Sequence, residues 1–160
     1  PVTSISSDTR TKINKARREL EMTAMDIDAF FDHYEMHLGP RQSHFFLNID
    51  REVMRHAMTP ENPQAEILAV RRKDGGDGKP GPVEAAILAS LGQDGYYKFL
   101  RISFRRAAEG MDVPKPHPHA FKMLVVEAMR RAAERDCMLD VDGCTPGGRP
   151  AGSSLTSSSL

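Results

Sequence analysis

His117 and His119 are the residues best suited to proton transfer. They lie in the segment PKPHPH, and imidazole titrates in the range that lets it accept a proton from an amine. His117 also suits the cap of a helix that Pro118 would open, and His119 would then be a surface residue. Tyr96 heads a β-rich run and carries a hydroxyl able to give a proton to a leaving group; strand tyrosines equally serve as packing residues. Asp140 and Asp142 alternate in MLDVD and so share one side of a strand. One of them can orient an amine or a base, or both can form a turn beside Gly143. His33 and His37 stand four apart on a helix, a spacing that suits zinc, but neither His44 nor any other residue supplies an evident third ligand. Glu35 lies between them without the H-E-x-x-H spacing. No metal is expected, and the pair reads as a solvated helix face.

Composition narrows the remaining classes. The 160 residues suffice for one domain, and 22 basic residues balance 22 acidic ones. A formal charge of zero argues against a broad electrostatic grip on nucleic acid or anionic lipid. The two cysteines, Cys137 and Cys144, lack zinc-ligand spacing, and Cys137 is expected in the core. No run approaches the roughly 20 apolar residues of a membrane span, and no signal-peptide pattern opens the chain. A soluble, cytoplasmic protein is expected. The start at Pro1 fits either a removed initiator or a chain cut from something longer.

Hydrophobic periodicity supplies the elements that must position these groups. Residues 6–21 read as a basic helix, with Ser6 or Ser7 as cap and Ile13, Ala16 and Leu20 on one face. Residues 22–25 read as an edge strand. Asp26 caps a helix over 27–38, whose stripe is Ile27, Phe30, Phe31, Tyr34 and Leu38. A short helix covers 49–57. Strands follow at 66–73, 83–91 and 96–104, joined by the glycine-rich turns GGDGKPG and GQDG, which make them antiparallel neighbours. A loop then leads to a helix from Pro118 to Arg135 and a strand over 138–142. A strand, crossover helix and strand imply a parallel pair. From Gly143 the sequence is rich in Gly, Pro and Ser and is expected to be disordered. The expected organisation is one domain over 1–142 and a tail over 143–160.

This order, with DTRTKINKARRELE, DIDAFFDHYEMHL, the hairpin ILAVRRKDGG–VEAAILASL, YYKFLRIS and AFKMLVVEAMRRAAERDCMLDVDG, resembles the GNAT acyltransferases, in the branch related to Fem-type aminoacyl transferases. The resemblance covers roughly residues 6–143. It implies an α/β (α+β) fold with a GNAT-like mixed sheet, in which antiparallel strands and a parallel pair joined by a crossover helix carry helices on both faces. It also implies an acyl-CoA or acetyl-CoA co-substrate between the last two strands. That puts the acyl group along Arg101, Ile102, Ser103 and Phe104, and the phosphates at the helix terminus near His117 and His119, with Lys115 and Lys122 as cations. Arg105 and Arg106 are further cations nearby in sequence. The strand-end arginines also fit a solvated rim.

Two departures stand beside the likeness. The Arg/Gln-x-x-Gly-x-Gly/Ala phosphate loop is absent before Pro118, and GCTPGGRPAGSSLTSSSL stands where family members continue with strands. A truncated or divergent C-terminus and a missing second domain are both consistent with this.

The expectation is therefore N-acyl transfer from acyl-CoA to a small-molecule or peptide amine, with His117, His119, Tyr96 and Asp142 as catalytic candidates. The alternatives are an aminoacyl-tRNA-dependent transferase, or a non-catalytic fragment or protein-interaction module on the same scaffold that binds by strand addition at the open edge of the last strand; a homodimer through an open sheet edge is also expected as a partner arrangement. The basic opening helix could meet a tRNA backbone, although Asp8, Glu19 and Glu21 interrupt it as on an ordinary solvated face.

Overall fold

The computed structural model describes residues 5–38, 47–107, 110 and 112–141. Helix α1, Ser7–Glu19, starts where the Ser6 hydroxyl accepts the Thr9 N–H at 3.2 Å. Asp8 in the first turn and Arg17 and Arg18 in the last complement the helix dipole. The chain turns from helix to strand with no loop between. Leu20 is already extended, and β1 is Leu20–Thr23 rather than the later residues expected from sequence. Asp26 then caps α2, Ile27–Met36, by accepting the Ala29 N–H at 2.7 Å. Helix α3 is Leu47–Ala57.

Strands β2 (Ala65–Arg72), β3 (Val83–Leu91) and β4 (Tyr96–Phe104) form an antiparallel meander. Helix α4, Ala120–Glu134, then crosses to β5, Met138–Asp140, which lies parallel to β4. The sheet order is β1-β2-β3-β4-β5. This is a mixed α+β sheet consistent with the GNAT-like arrangement.

Both faces of the sheet are covered, which is why β2 and β3 read as continuous apolar runs. Val70, Ala85, Ile87 and Ala89 meet Ile13 and Ala16 of α1 and Leu124 and Ala128 of α4. Ala69, Ala86 and Leu88 meet Phe30, Phe31 and Tyr34 of α2. Arg51 of α3 holds Asp32 of α2 at 2.9 Å and lies 5.7 Å from the Phe31 ring centroid. Among the described residues no helix is long and apolar enough to cross a membrane.

Two bulges interrupt the meander. Val70 pairs with Ala85 while Arg71 pairs with Val83, so Glu84 has no residue opposite it on β2. Leu88 pairs with Arg101 while Ala89 pairs with Phe99, so Leu100 has none on β3. A bulge bends its strand and re-aims the side chains beside it.

Helix α4 begins at Ala120, not at Pro118. His119 occupies the cap position, and Pro118 lies before the helix. At the other end Cys137 N–H bonds the Ala132 carbonyl (2.9 Å) and Asp136 N–H bonds that of Ala133 (3.1 Å). That pattern is a Schellman motif, and it needs a left-handed residue at Asp136, where φ is 53°. Aspartate tolerates this better than most residues, but glycine would adopt it without the Cβ penalty. Asp136→Gly should therefore raise stability by about 1 kcal/mol in urea unfolding, and Asp136→Val should lower it.

Candidate functional site

The chemistry-bearing groups collect where β4 ends, β3 begins and β2 ends. Glu84 sits at the β3 bulge with its side chain fully buried. Its carboxylate accepts from Arg105 Nε (3.1 Å), from a terminal Arg105 nitrogen (3.0 Å), from Arg72 Nε (2.5 Å) and from the His117 backbone N–H (3.2 Å). Burial alone would raise its pKa, but the donors from Arg105, His117 and Arg72 outweigh it and hold Glu84 below the usual range. The two arginines also grip the following loop. Arg105 donates to the Pro114 carbonyl at 2.8 Å and Arg72 to that of Lys115 at 2.6 Å. The stiff PKPHPH segment is thus wrapped around an internal carboxylate.

This wrapping engages His117 completely. Its Nδ1 accepts the His119 N–H at 3.1 Å, and its Nε2 donates to Glu19 of α1 at 2.7 Å. Neither ring nitrogen is left to take a proton from a substrate. His119 differs. Its Nδ1 is closed to solvent and has no hydrogen-bond partner among the described residues. Burial, then Lys122, His117, Lys12 and Lys15, lowers its pKa, so the ring is neutral at pH 7. Lys12 and Lys15 come from α1, so the cations gathered near His119 include residues far from it in sequence. Among the described residues α4 has no side-chain cap and no acidic group in its first turn.

The other sequence candidates separate. Arg101 points to the α2 face, where it donates to Asp50 and lies 5.5 Å from the Tyr34 ring centroid. Ile102 is buried in the α1–α4 core. Phe104 lies on that same face, its ring 5.3 Å from that of Phe121 in the first turn of α4. Lys115 lies exposed in the gripped loop, and Lys122 stands near His119. Tyr96 is 42 % exposed at the opposite end of β4, paired with Met138. Eight strand steps separate it from Phe104, about 26 Å. A single reaction centre cannot use both Tyr96 and His119. Asp140 pairs with Lys98 at the Tyr96 end. Asp142, His44 and Cys144 lie outside the described residues, as does the tail over 143–160.

His33 and His37 are not on a solvated face. His33 Nε2 donates to the Val83 carbonyl at 3.0 Å, which leaves Nδ1 to accept from the Ser103 hydroxyl at 2.5 Å. His37 Nδ1 accepts the Arg106 N–H at 3.1 Å, and the two imidazole centroids lie 4.4 Å apart. Ser103 is only 2 % exposed, so this pair ties α2 to the sheet. Both nitrogens of His33 are engaged, and among the described residues no group of three or more potential ligands could hold a metal.

Sequence reasoning missed Glu84, although a signal existed. It is the single acid inside the apolar run VEAAILASL, and a carboxylate there must find cations.

The histidines set a pH dependence. Burial, aided by His33, Arg105 and Arg106, pushes His37 down to about 4, and burial also lowers His33 below 6.5. The unfolded chain then binds more protons than the folded one between these values. Stability should be full above pH 6.5 and fall as pH drops towards 4. His37→Gln should flatten that fall relative to the parent chain, by at most the slope of one proton, about 1.4 kcal/mol per pH unit. Chemical denaturation at stepped pH measures it.

Comparison of the chain with protein-family models, with curated proteins and with solved structures gave no match.

Proposed function

We propose that the chain is an N-acyltransferase in the GNAT-like style. In this reading an acyl thioester, an acyl-CoA, lies along the open part of β4, and an amine attacks its carbonyl. One observation carries the reading. The parallel ladder between β4 and β5 covers only Tyr96↔Met138, Tyr97↔Leu139 and Lys98↔Asp140 among the described residues, while β4 runs on to Phe104. Residues 99–104 therefore present an edge that β5 does not engage, and the Leu100 bulge lies within it. Backbone groups on a rigid strand are suited to polarising a bound carbonyl, and they cost no reorganisation at the moment of reaction.

The amine nitrogen bonds to the acyl carbon, and the carbon–sulfur bond then breaks. The thiolate leaves and the nitrogen loses a proton to His119 or to water. His119 fits the role of base because its ring is neutral at pH 7 and only its Nδ1 is closed to solvent, which leaves Nε2 to take the proton. It lies two residues before Phe121, which touches the end of β4. Donor phosphates would meet the start of α4 with Lys122, Lys12 and Lys15. In this reading the His117 amide plays no part, since Glu84 holds it.

That last point also favours a second reading, a non-catalytic module. The loop that would cradle a pyrophosphate already encloses a carboxylate, and an open strand edge can take an extended segment of another protein.

Thermal unfolding with acetyl-CoA and longer acyl-CoAs separates the two. Donor at about 100 times its dissociation constant should add about 2.7 kcal/mol of stability. The gain should disappear in a His119→Ala, Lys122→Ala variant. A cooperative melt unmoved by any thioester would remove the acyl-CoA reading and leave the module.

A further inference from the structure

We infer that the cavity between the last turn of α1 and the end of β2 binds a phosphoryl-type dianion, as free phosphate or as a phosphate monoester. The cavity is a solvent-open cleft of about 260 Å³, lined by Arg72 and by the exposed Arg18, Glu19, Lys73 and Asp74. The fold builds it by running α1 straight into β1. Leu20 pairs with Arg72, and Lys73 N–H bonds the Glu19 carbonyl at 2.9 Å. The α1 terminus and the end of β2 are thereby fixed as its walls.

The lining groups divide by whether they have partners. Glu19 is held by His117 at 2.7 Å, which, opposed in part by desolvation, lowers its pKa. One carboxylate oxygen of Asp74 accepts the Gly76 N–H at 2.8 Å. Arg72 is engaged by Glu84 and the Lys115 carbonyl. The side chains of Arg18 and Lys73 make no hydrogen bond or ion pair among the described residues. The two lining acids thus already have donors, while two cations facing the same space have no acceptor.

The types of these cations select the ligand. A guanidinium presents parallel N–H donors that match two oxygens of one phosphoryl group, and an ammonium adds a compact charge on a third. A monocarboxylate would satisfy the arginine alone. The negative end of the α1 dipole points towards this site, so one cation would not hold an anion there. A water's share of liquid volume is about 30 Å³, so the cavity has room for a phosphoryl group with a small ester substituent. The occupant would rest against Arg72 and Glu19, the residues that hold Lys115 and His117 before α4. This site does not depend on acyl transfer.

Calorimetric titration of the full chain at constant ionic strength tests it, with inorganic phosphate and glycerol phosphate as probes. Saturable one-site binding is expected. It should weaken by at least about tenfold in Arg18→Ala, Lys73→Ala and survive in Arg17→Ala, Lys79→Ala, which removes equal charge outside the cavity. Tighter binding of the ester than of free phosphate would assign the cavity to a monoester, and the reverse would assign it to the free ion. Absence of saturable binding to either, or equal loss in both double variants, would overturn the inference.

Discussion

A carboxylate with no exposed surface must be neutralised where it stands, and in this fold that carboxylate is Glu84. The bulge in β3 turns it to the sheet's end, Arg105 and Arg72 close on it, and the His117 amide completes the set. Pairing a buried charge this way does not by itself make a protein more stable than an apolar replacement would. Removing one partner, however, leaves an uncompensated charge and typically costs about 3–5 kcal/mol. The arrangement therefore acts mainly as a constraint on geometry. It joins β2, β3, β4 and the segment before α4, and so decides where α4 begins and how its first residues face.

The candidate site follows from that constraint. Wrapping residues 112–119 around Glu84 directs the His117 ring onto Glu19 and takes it out of acid–base chemistry. The same wrapping leaves His119 at the cap of α4 near Lys12, Lys15 and Lys122, neutral and with its Nδ1 enclosed and unpartnered among the described residues. Tyr96 lies at the far end of β4. The two ends of that strand are different environments: β5 pairs with one, and among the described residues no strand pairs beside residues 99–104 on that edge.

Much of the architecture was legible because local signals agreed with one another. The bounds of β3 and β4 match the sequence reading, since glycine turns and a period of two mark their ends clearly. The parallel pair followed from the crossover helix. Less was legible where the outcome depended on contacts between distant residues. His33 in α2 and His37 at its C-terminal cap, four apart, look solvated in sequence, yet His33 meets Ser103 and Val83 across the sheet. Neither bulge has a sequence mark of its own. Pro118 reads as a first helical residue, but the His119 N–H bonds the His117 ring and the helix starts later. The gathering of α1 lysines around His119 depends on α1 packing against α4, which periodicity alone cannot specify.

The most direct measurement is an amide map of the isotope-labelled chain by NMR, recorded as an acyl-CoA is added. Amides of residues 100–104, Phe121 and Lys122 are expected to shift, while the His117 amide stays where Glu84 holds it. A His117 amide that moves with them, or perturbation confined to the Tyr96 end of β4, would contradict the acyl-CoA reading.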